Sequence, residues 1–331
     1  MQTSSAPRRA GPLLYLRGMA QERVALSAVI AVPESESPPR LRTAACEVPA
    51  ETLLQRDGCR LLRYGFTLEA STQAWYAVGE DRYEVNAALD GDLRVAFVSC
   101  NGQERGDGER PLEERNVLWE RLDRQHAERP FQLLLHGGDQ IYADEMLDAH
   151  PRSRAWAEGK HRKPRRQDDG ELGELREALR RSFFRRYMEI LSQPQISKLM
   201  ARVPSLAIWD DHDICDGWGS LPAAQLDAPV GRTFFEVARE HFLLFQLGTT
   251  PEKLPDFCLD PGGSSLGWHV ALPDLHILAP DLRSERRPNR VMGEAGWRTL
   301  ETALPRIECG RVFLLSSVPP WGRACPGWRR R

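Results

Sequence analysis

From residue 93 onward, compact apolar runs alternate with longer amphipathic stretches, and this alternation restricts the possible fold more than any other feature of the chain. LRVAFVS (93 to 99), FQLLLH (131 to 136), SLAIW (205 to 209) and a run at 275 to 280 read as strands. Residues 112 to 128, 173 to 191, 233 to 248 and a segment near 293 to 304 carry helical periodicity. Val117, Leu118 and Leu122 are expected on one apolar helix face, and Gly248 as the stop of the third helix. Such alternation predicts an α/β architecture in which helices cover a largely buried sheet.

The preceding stretch has a different rhythm. LLYLR, RVALSAVIAV, RLRTAACEV, CRLLRYGFTL and WYAVGEDRYEV are short β-type runs separated by clusters such as PESESPP. They predict a small antiparallel β-sandwich over 12 to 90. At roughly 150 residues per domain, a chain of 331 residues accommodates both units. A frayed N-terminus over 1 to 11 and an irregular basic tail over 319 to 331 complete the expected organisation.

Composition removes several function classes. The 45 Lys and Arg nearly balance 47 Asp and Glu, so net charge points to neither nucleic acid nor a membrane surface. Seven cysteines without a CxxC pair argue against a disulfide framework or a zinc ribbon. No apolar run is long enough to span a bilayer. Arg8-Arg9 hints at an export signal, but Arg17 interrupts the apolar stretch after it, so cytoplasmic residence is the expectation. The run at 152 to 166, with seven Lys or Arg against one Glu, reads as a solvated, mobile insertion. The sharper alternatives are a basic lid that attracts phosphorylated substrate and a nucleic-acid patch.

In open α/β sheets, functional groups collect beyond the carboxyl ends of the strands. Here those positions carry Cys100 and Asn101; Gly137, Gly138 and Asp139; Asp210, Asp211, His212 and Asp213; and Asp281, Arg283 and Arg286. Carboxylates packed this densely repel one another unless a cation compensates them, so a metal site is expected. Two cations can clamp a phosphoryl group, with His212 protonating the leaving oxygen. Asp210 and Asp213 are also candidates for hydrogen-bond partners or caps. His269, His276, Trp209 and Trp218 read as sheet and packing residues.

Together SCN (99 to 101), HGGDQIYAD (136 to 144), WDDHDICDGW (209 to 218) and DLRSER (281 to 286) resemble the PhoD-like (alkaline phosphatase D) family of metallophosphatases. The resemblance covers 93 to 318, and the preceding β unit resembles that family's N-terminal domain. It implies an α/β metallophosphatase core of layered sheets flanked by helices. It also implies a phosphoesterase acting on phosphomonoesters or phosphodiesters, with ferric iron and calcium as cofactors, other divalent metals being possible. Carried over by position, Cys100, Asp139 and Tyr142 are the implied iron ligands, and Asp139 bridges to a second metal that Asp211 binds. His212 falls on the catalytic histidine, and Arg283 is the side chain expected to hold substrate phosphate. The implied partner is a phosphate ester, without membrane or nucleic acid and with no specific protein partner evident.

The family's Gly-Asp-x-His segment near the C-terminus has no counterpart here. From Cys309 to Arg331 there is neither a histidine nor an acid. The expectation is therefore an incomplete domain ending near 318, with low or no turnover. The alternative reading is a truncated, catalytically impaired member that retains only partial metal binding.

Overall fold

The computed structural model describes residues 9–104, 106–159, 169–307 and 310–318. The expected tail at 319 to 331, most of the frayed N-terminus and the basic residues at 160 to 166 lie outside them. The strands are β1 (Ala10–Ala20), β2 (Arg23–Pro33), β3 (Leu41–Thr43), β4 (Glu47–Val48), β5 (Glu51–Arg56), β6 (Cys59–Glu69), β7 (Ala74–Val78), β8 (Asp81–Val85), β9 (Val95–Val98), β10 (Leu133–Gly137), β11 (Ser205–Ile208), β12 (Trp268–Ala271), β13 (Leu275–Ala279) and β14 (Arg311–Leu314). The helices are α1 (Leu112–Arg115), α2 (Val117–Glu128), α3 (Pro151–Ala157), α4 (Asp169–Leu191), α5 (Pro194–Met200), α6 (Ala223–Leu226), α7 (Pro229–Gln246) and α8 (Glu294–Ala303).

Seven strands form the central sheet in the order β5-β6-β2-β1-β11-β10-β9. Its first four strands are antiparallel, while β1, β11, β10 and β9 run parallel. Side chains alternate between its faces, as the two-residue period of a strand requires. Leu13, Tyr15 and Leu134 join α4 and α7 on one side, where Phe183, Phe234 and Phe245 are buried. Leu14, Leu16, Leu133 and Leu135 face Tyr76 and Trp268 on the other. These belong to two smaller sheets, β4-β3-β7-β8 and β12-β13-β14. The molecule is thus a helical layer, a long mixed sheet, and a second layer made of two short sheets.

This arrangement corrects the expectation of a separate sandwich ending at residue 90. Strand β1 pairs directly with β11, Tyr15 opposite Ser205, so the N-terminal strands and the α/β strands share one sheet. The Tyr15 hydroxyl donates to Phe245 O at 2.6 Å, and Arg17 Nη2 donates to Leu247 O and Gly248 O at 2.7 and 2.9 Å. A guanidinium on the last carbonyls of α7 satisfies groups that the helix itself cannot. Residue 248 has φ of 57°, the left-handed conformation in which a glycine ends a helix at least cost.

Other local expectations change as well. Residues 10 and 11 belong to β1, with Ala10 opposite Ala31, rather than to a frayed leader. The helix expected over 112 to 128 breaks at Asn116. Val117 and Leu118 are exposed, and Trp119 and His126 are the buried residues of α2. Trp119 turns inward because its indole N–H donates to Asn101 Oδ1 at 2.6 Å. Strand β9 is an edge strand with Phe97 exposed, not a fully buried one. The start of the basic run is helical: in α3, Trp156 packs on Phe234 and Trp218. Among the described residues, no helix is long and apolar enough to cross a membrane.

Candidate metal centre

Parallel pairing of β9, β10 and β11 places their carboxyl ends side by side, and the loops leaving them build the site. Two of its residues have left-handed backbones, Cys100 with φ of 52° and Asp139 with φ of 53°. Outside glycine, this conformation is sparsely populated and concentrates where surrounding structure imposes it. Two backbone bonds between the loops hold it here: Cys100 N–H donates to Gly138 O at 3.1 Å and Asn101 N–H to Asp139 O at 2.8 Å. Gly138, with φ of 101°, lets the chain pass β11, since a Cβ there would fall 2.6 Å from Asp210 Cβ.

Asp213 holds the two acidic loops together. Its carboxylate accepts the backbone N–H groups of Asp139 (2.8 Å), Asp210 (2.9 Å) and Gln140 (3.1 Å), and Gln246 Nε2 at 2.7 Å. Burial pushes this carboxyl up to about 6, although these donors oppose the rise. Gln246 ends α7, the helix that Tyr15 and Arg17 hold from β1. The N-terminal strands therefore support the site across the sheet.

Asp139 lies at the junction of two donor groups. Cys100 Sγ is 3.6 Å from its Oδ2, and the Tyr142 hydroxyl is close enough to the thiol for each to perturb the other's proton affinity. On the other side, oxygens of Asp139, Asp210 and Asp211 lie within 4.8 Å of one another. Burial, with repulsion from Asp213, Asp210 and Asp211, raises the Asp139 carboxyl to about 7. Burial also raises the Cys100 thiol and the Tyr142 phenol, and Asp139 adds to both shifts. A thiol, a phenol and the carboxyls of Asp139 and Asp210, all with raised proton affinity, form with Asp211 a donor set that a cation fits, because positive charge opposes those shifts.

His212 stands beside this cluster, with its ring 4.3 Å from that of Tyr142. Its Nδ1 meets Asp144 Oδ2 at 2.6 Å. Asp144 Oδ1 also accepts the Asp216 N–H at 2.6 Å. Burial alone would lower the imidazole pKa; the Asp144 carboxylate outweighs it, helped by Asp139 and Asp211, and lifts it to about 9. Asp211, His212 and Asp216 form a second group of possible ligands.

The structure therefore brings Cys100, Asp139, Tyr142, Asp211, His212 and Arg283 into one locality. Arg283 does not have the surroundings expected of a substrate-binding residue. It is buried, with Nε on Asp210 Oδ1, Nη2 3.3 Å from Asp211 Oδ1, and Nη1 donating to Trp218 O at 3.0 Å. All three nitrogens are engaged by the protein. Asp210, weighed from sequence as a hydrogen-bond partner or cap, joins the ligand cluster. Asp144 and Asp216 escaped sequence reasoning, although both lie within the segments that carry the family resemblance. Trp209 and Trp218 are packing residues buried against Phe235. His269 and His276 meet each other at 3.0 Å on adjacent strands.

An uncharacterized Saccharomyces cerevisiae protein, YGR266W, is 23% identical over 263 residues, covering 68% of this chain and 37% of the yeast protein. A solved structure of PhoD shares the fold, with a TM-score of 0.50 and 14% identity over 92% of this chain and 61% of its own. The chain thus spans less than two thirds of the length of each. The family model for PhoD related phosphatases matches residues 70–317, and with about three quarters of its length inside that match, the chain belongs to the PhoD related phosphatase family.

Proposed function

We propose that the chain is a metal-dependent phosphoesterase that cleaves phosphomonoesters or phosphodiesters at the Asp139 centre. The observation that carries this reading is the position of Asp139, between the Cys100 and Tyr142 donors on one side and Asp210 and Asp211 on the other. Cys100, Tyr142 and Asp139 would hold a ferric ion, whose affinity for thiolate and phenolate matches them. Asp139 and Asp211, with Asp210, would hold a second, harder cation such as calcium. When bound, the two ions supply the charge that polarises a phosphoryl group and eases deprotonation of an attacking water.

The remaining work falls to the chain's own groups. Asp213 fixes the backbones of Asp139 and Asp210, so that the carboxylates keep their spacing. Asp144 engages Nδ1 of His212 and leaves Nε2 as the nitrogen that faces other partners. His212, held by Asp144, is the group that donates a proton to the departing ester oxygen. Arg283 draws Asp210 and Asp211 together and cancels part of their repulsion.

The test is metal content together with hydrolysis of p-nitrophenyl phosphate and bis(p-nitrophenyl) phosphate by the purified chain, before and after chelation. Bound metal and chelator-sensitive turnover support the reading; turnover indifferent to chelation refutes it. One observation favours a second reading, a chain that binds metal without turnover. Among the described residues, His212 is the only imidazole in the candidate ligand groups. Metal retained without hydrolysis of either ester would establish that alternative.

A further inference from the structure

Of the arginines in the segment after β13, Arg283, Arg286 and Arg287 have different surroundings. Arg287 pairs with Asp227 at 2.8 Å, and its Nη1 donates to the carbonyl of Arg286 at 2.9 Å. Arg283 is consumed by Asp210, Asp211 and the Trp218 carbonyl. Arg286 has no carboxylate within ion-pair distance among the described residues, and its Nη1 is buried without a hydrogen-bond partner.

Its location is nonetheless specific. The Arg286 N–H donates to Arg283 O at 3.3 Å, which closes a turn and keeps the two side chains in the same region. Gly219, with φ of 85°, makes room for the aliphatic stem: a Cβ there would lie 2.7 Å from Arg286 Cβ and Cγ. The guanidinium is within electrostatic reach of Asp210 and Asp211, but burial and the Arg283 charge outweigh their attraction and lower its pKa. A buried donor without an acceptor is unfavourable until an acceptor reaches it. A phosphoryl oxygen supplies both the acceptor and the opposing charge, in a geometry that suits a planar fork.

Resting on the phosphoesterase reading, we propose that Arg286 is the side chain that grips substrate phosphate, while Arg283 positions Asp210 and Asp211. The phosphoryl oxygens are thereby held beside carboxylates that would otherwise repel them.

Calorimetric titration of the metal-loaded chain with inorganic phosphate tests this without relying on turnover. Arg286→Gln is expected to weaken phosphate binding by about tenfold or more, with metal content and Tm close to the parent's. Arg286→Lys, which retains the stem and charge, is expected to fall between the two, and decides the matter if the glutamine variant fails to fold. Arg283→Gln is expected to lose metal and stability instead. Phosphate binding by either Arg286 variant that matches the parent's, or a parent that binds no phosphate, overturns the assignment. Phosphate binding that depends on Arg286 without hydrolysis of any ester would instead refute the phosphoesterase reading and leave this one standing.

Discussion

The Asp213 carboxylate accepts the backbone N–H of Asp139 at 2.8 Å, although the two residues lie on loops that follow different strands. The same oxygen accepts the N–H of Asp210, so one fully buried acid sets the spacing between candidate ligands. Asp213→Ala strands several buried donors, each costing roughly 1–3 kcal/mol. The variant is expected to lose about 3 kcal/mol or more of stability and most of its bound metal. A denaturant titration and metal analysis check both, and parent-like values for both would remove Asp213 from this role.

His212 and Asp144 make a separable prediction. If His212 protonates the leaving oxygen, His212→Gln slows hydrolysis of alkyl phosphates by roughly 10²–10⁴-fold, the usual range for general acid catalysis. Nitrophenyl esters, whose leaving group needs little help, are slowed much less. Asp144→Asn should give the same pattern in weaker form, because it disturbs the orientation of the ring. Equal losses with good and poor leaving groups would argue against proton donation by His212.

Gly138 is required for steric reasons. Gly138→Ala forces a Cβ to within 2.6 Å of Asp210 Cβ and 3.0 Å of its backbone nitrogen, at a backbone conformation that also disfavours alanine. Gly91, with φ of 66° and open space for 4 Å around the position a Cβ would take, provides a control for the conformational cost alone. Gly91→Ala is expected to cost about 1 kcal/mol, and Gly138→Ala substantially more, with loss of metal. Equal melting temperatures for the two variants would contradict the close approach of β10 to β11.

His241 gives the chain an acid-sensitive core. It is fully buried on α7, with Nδ1 2.8 Å from Val237 O, and burial holds its pKa at about 4. In the unfolded chain an imidazole titrates near 6.5, so between these values the unfolded state binds the extra proton. The stability His241 contributes is complete above about pH 6.5 and is lost as pH falls toward 4. By linkage the loss amounts to about 3 kcal/mol. His241→Phe removes this dependence, so the parent's Tm should fall more steeply than the variant's over that interval; parallel curves would refute it.

Much of the site was legible in the sequence because it obeys a positional rule. Cys100, Asp139 and Asp211 follow predicted strands that run parallel in one sheet, and parallel strands deliver their following loops to one edge; Arg283 arrives from β13 of a different sheet. The pairing of β1 with β11 was not legible, since Tyr15 and Ser205 lie 190 positions apart and alternation of side chains says nothing about which strand is a neighbour. The same limit hid Asp144, whose importance lies in its contact with His212, and the burial that turned Arg283 from the expected phosphate ligand into a partner of Asp210 and Asp211. In α2, apolar character favoured Val117 and Leu118 for the interior, whereas the hydrogen bond from Trp119 to Asn101 decided which face turned inward.

The proposed role of Asp139 is to join a thiolate-phenolate site to a carboxylate site. Its most direct test is quantitative metal analysis of the purified chain beside Asp139→Asn and Cys100→Ser. Cys100→Ser is predicted to lose iron and keep the second cation, whereas Asp139→Asn loses both, each variant remaining folded by circular dichroism. Iron content unchanged by either substitution would contradict that role.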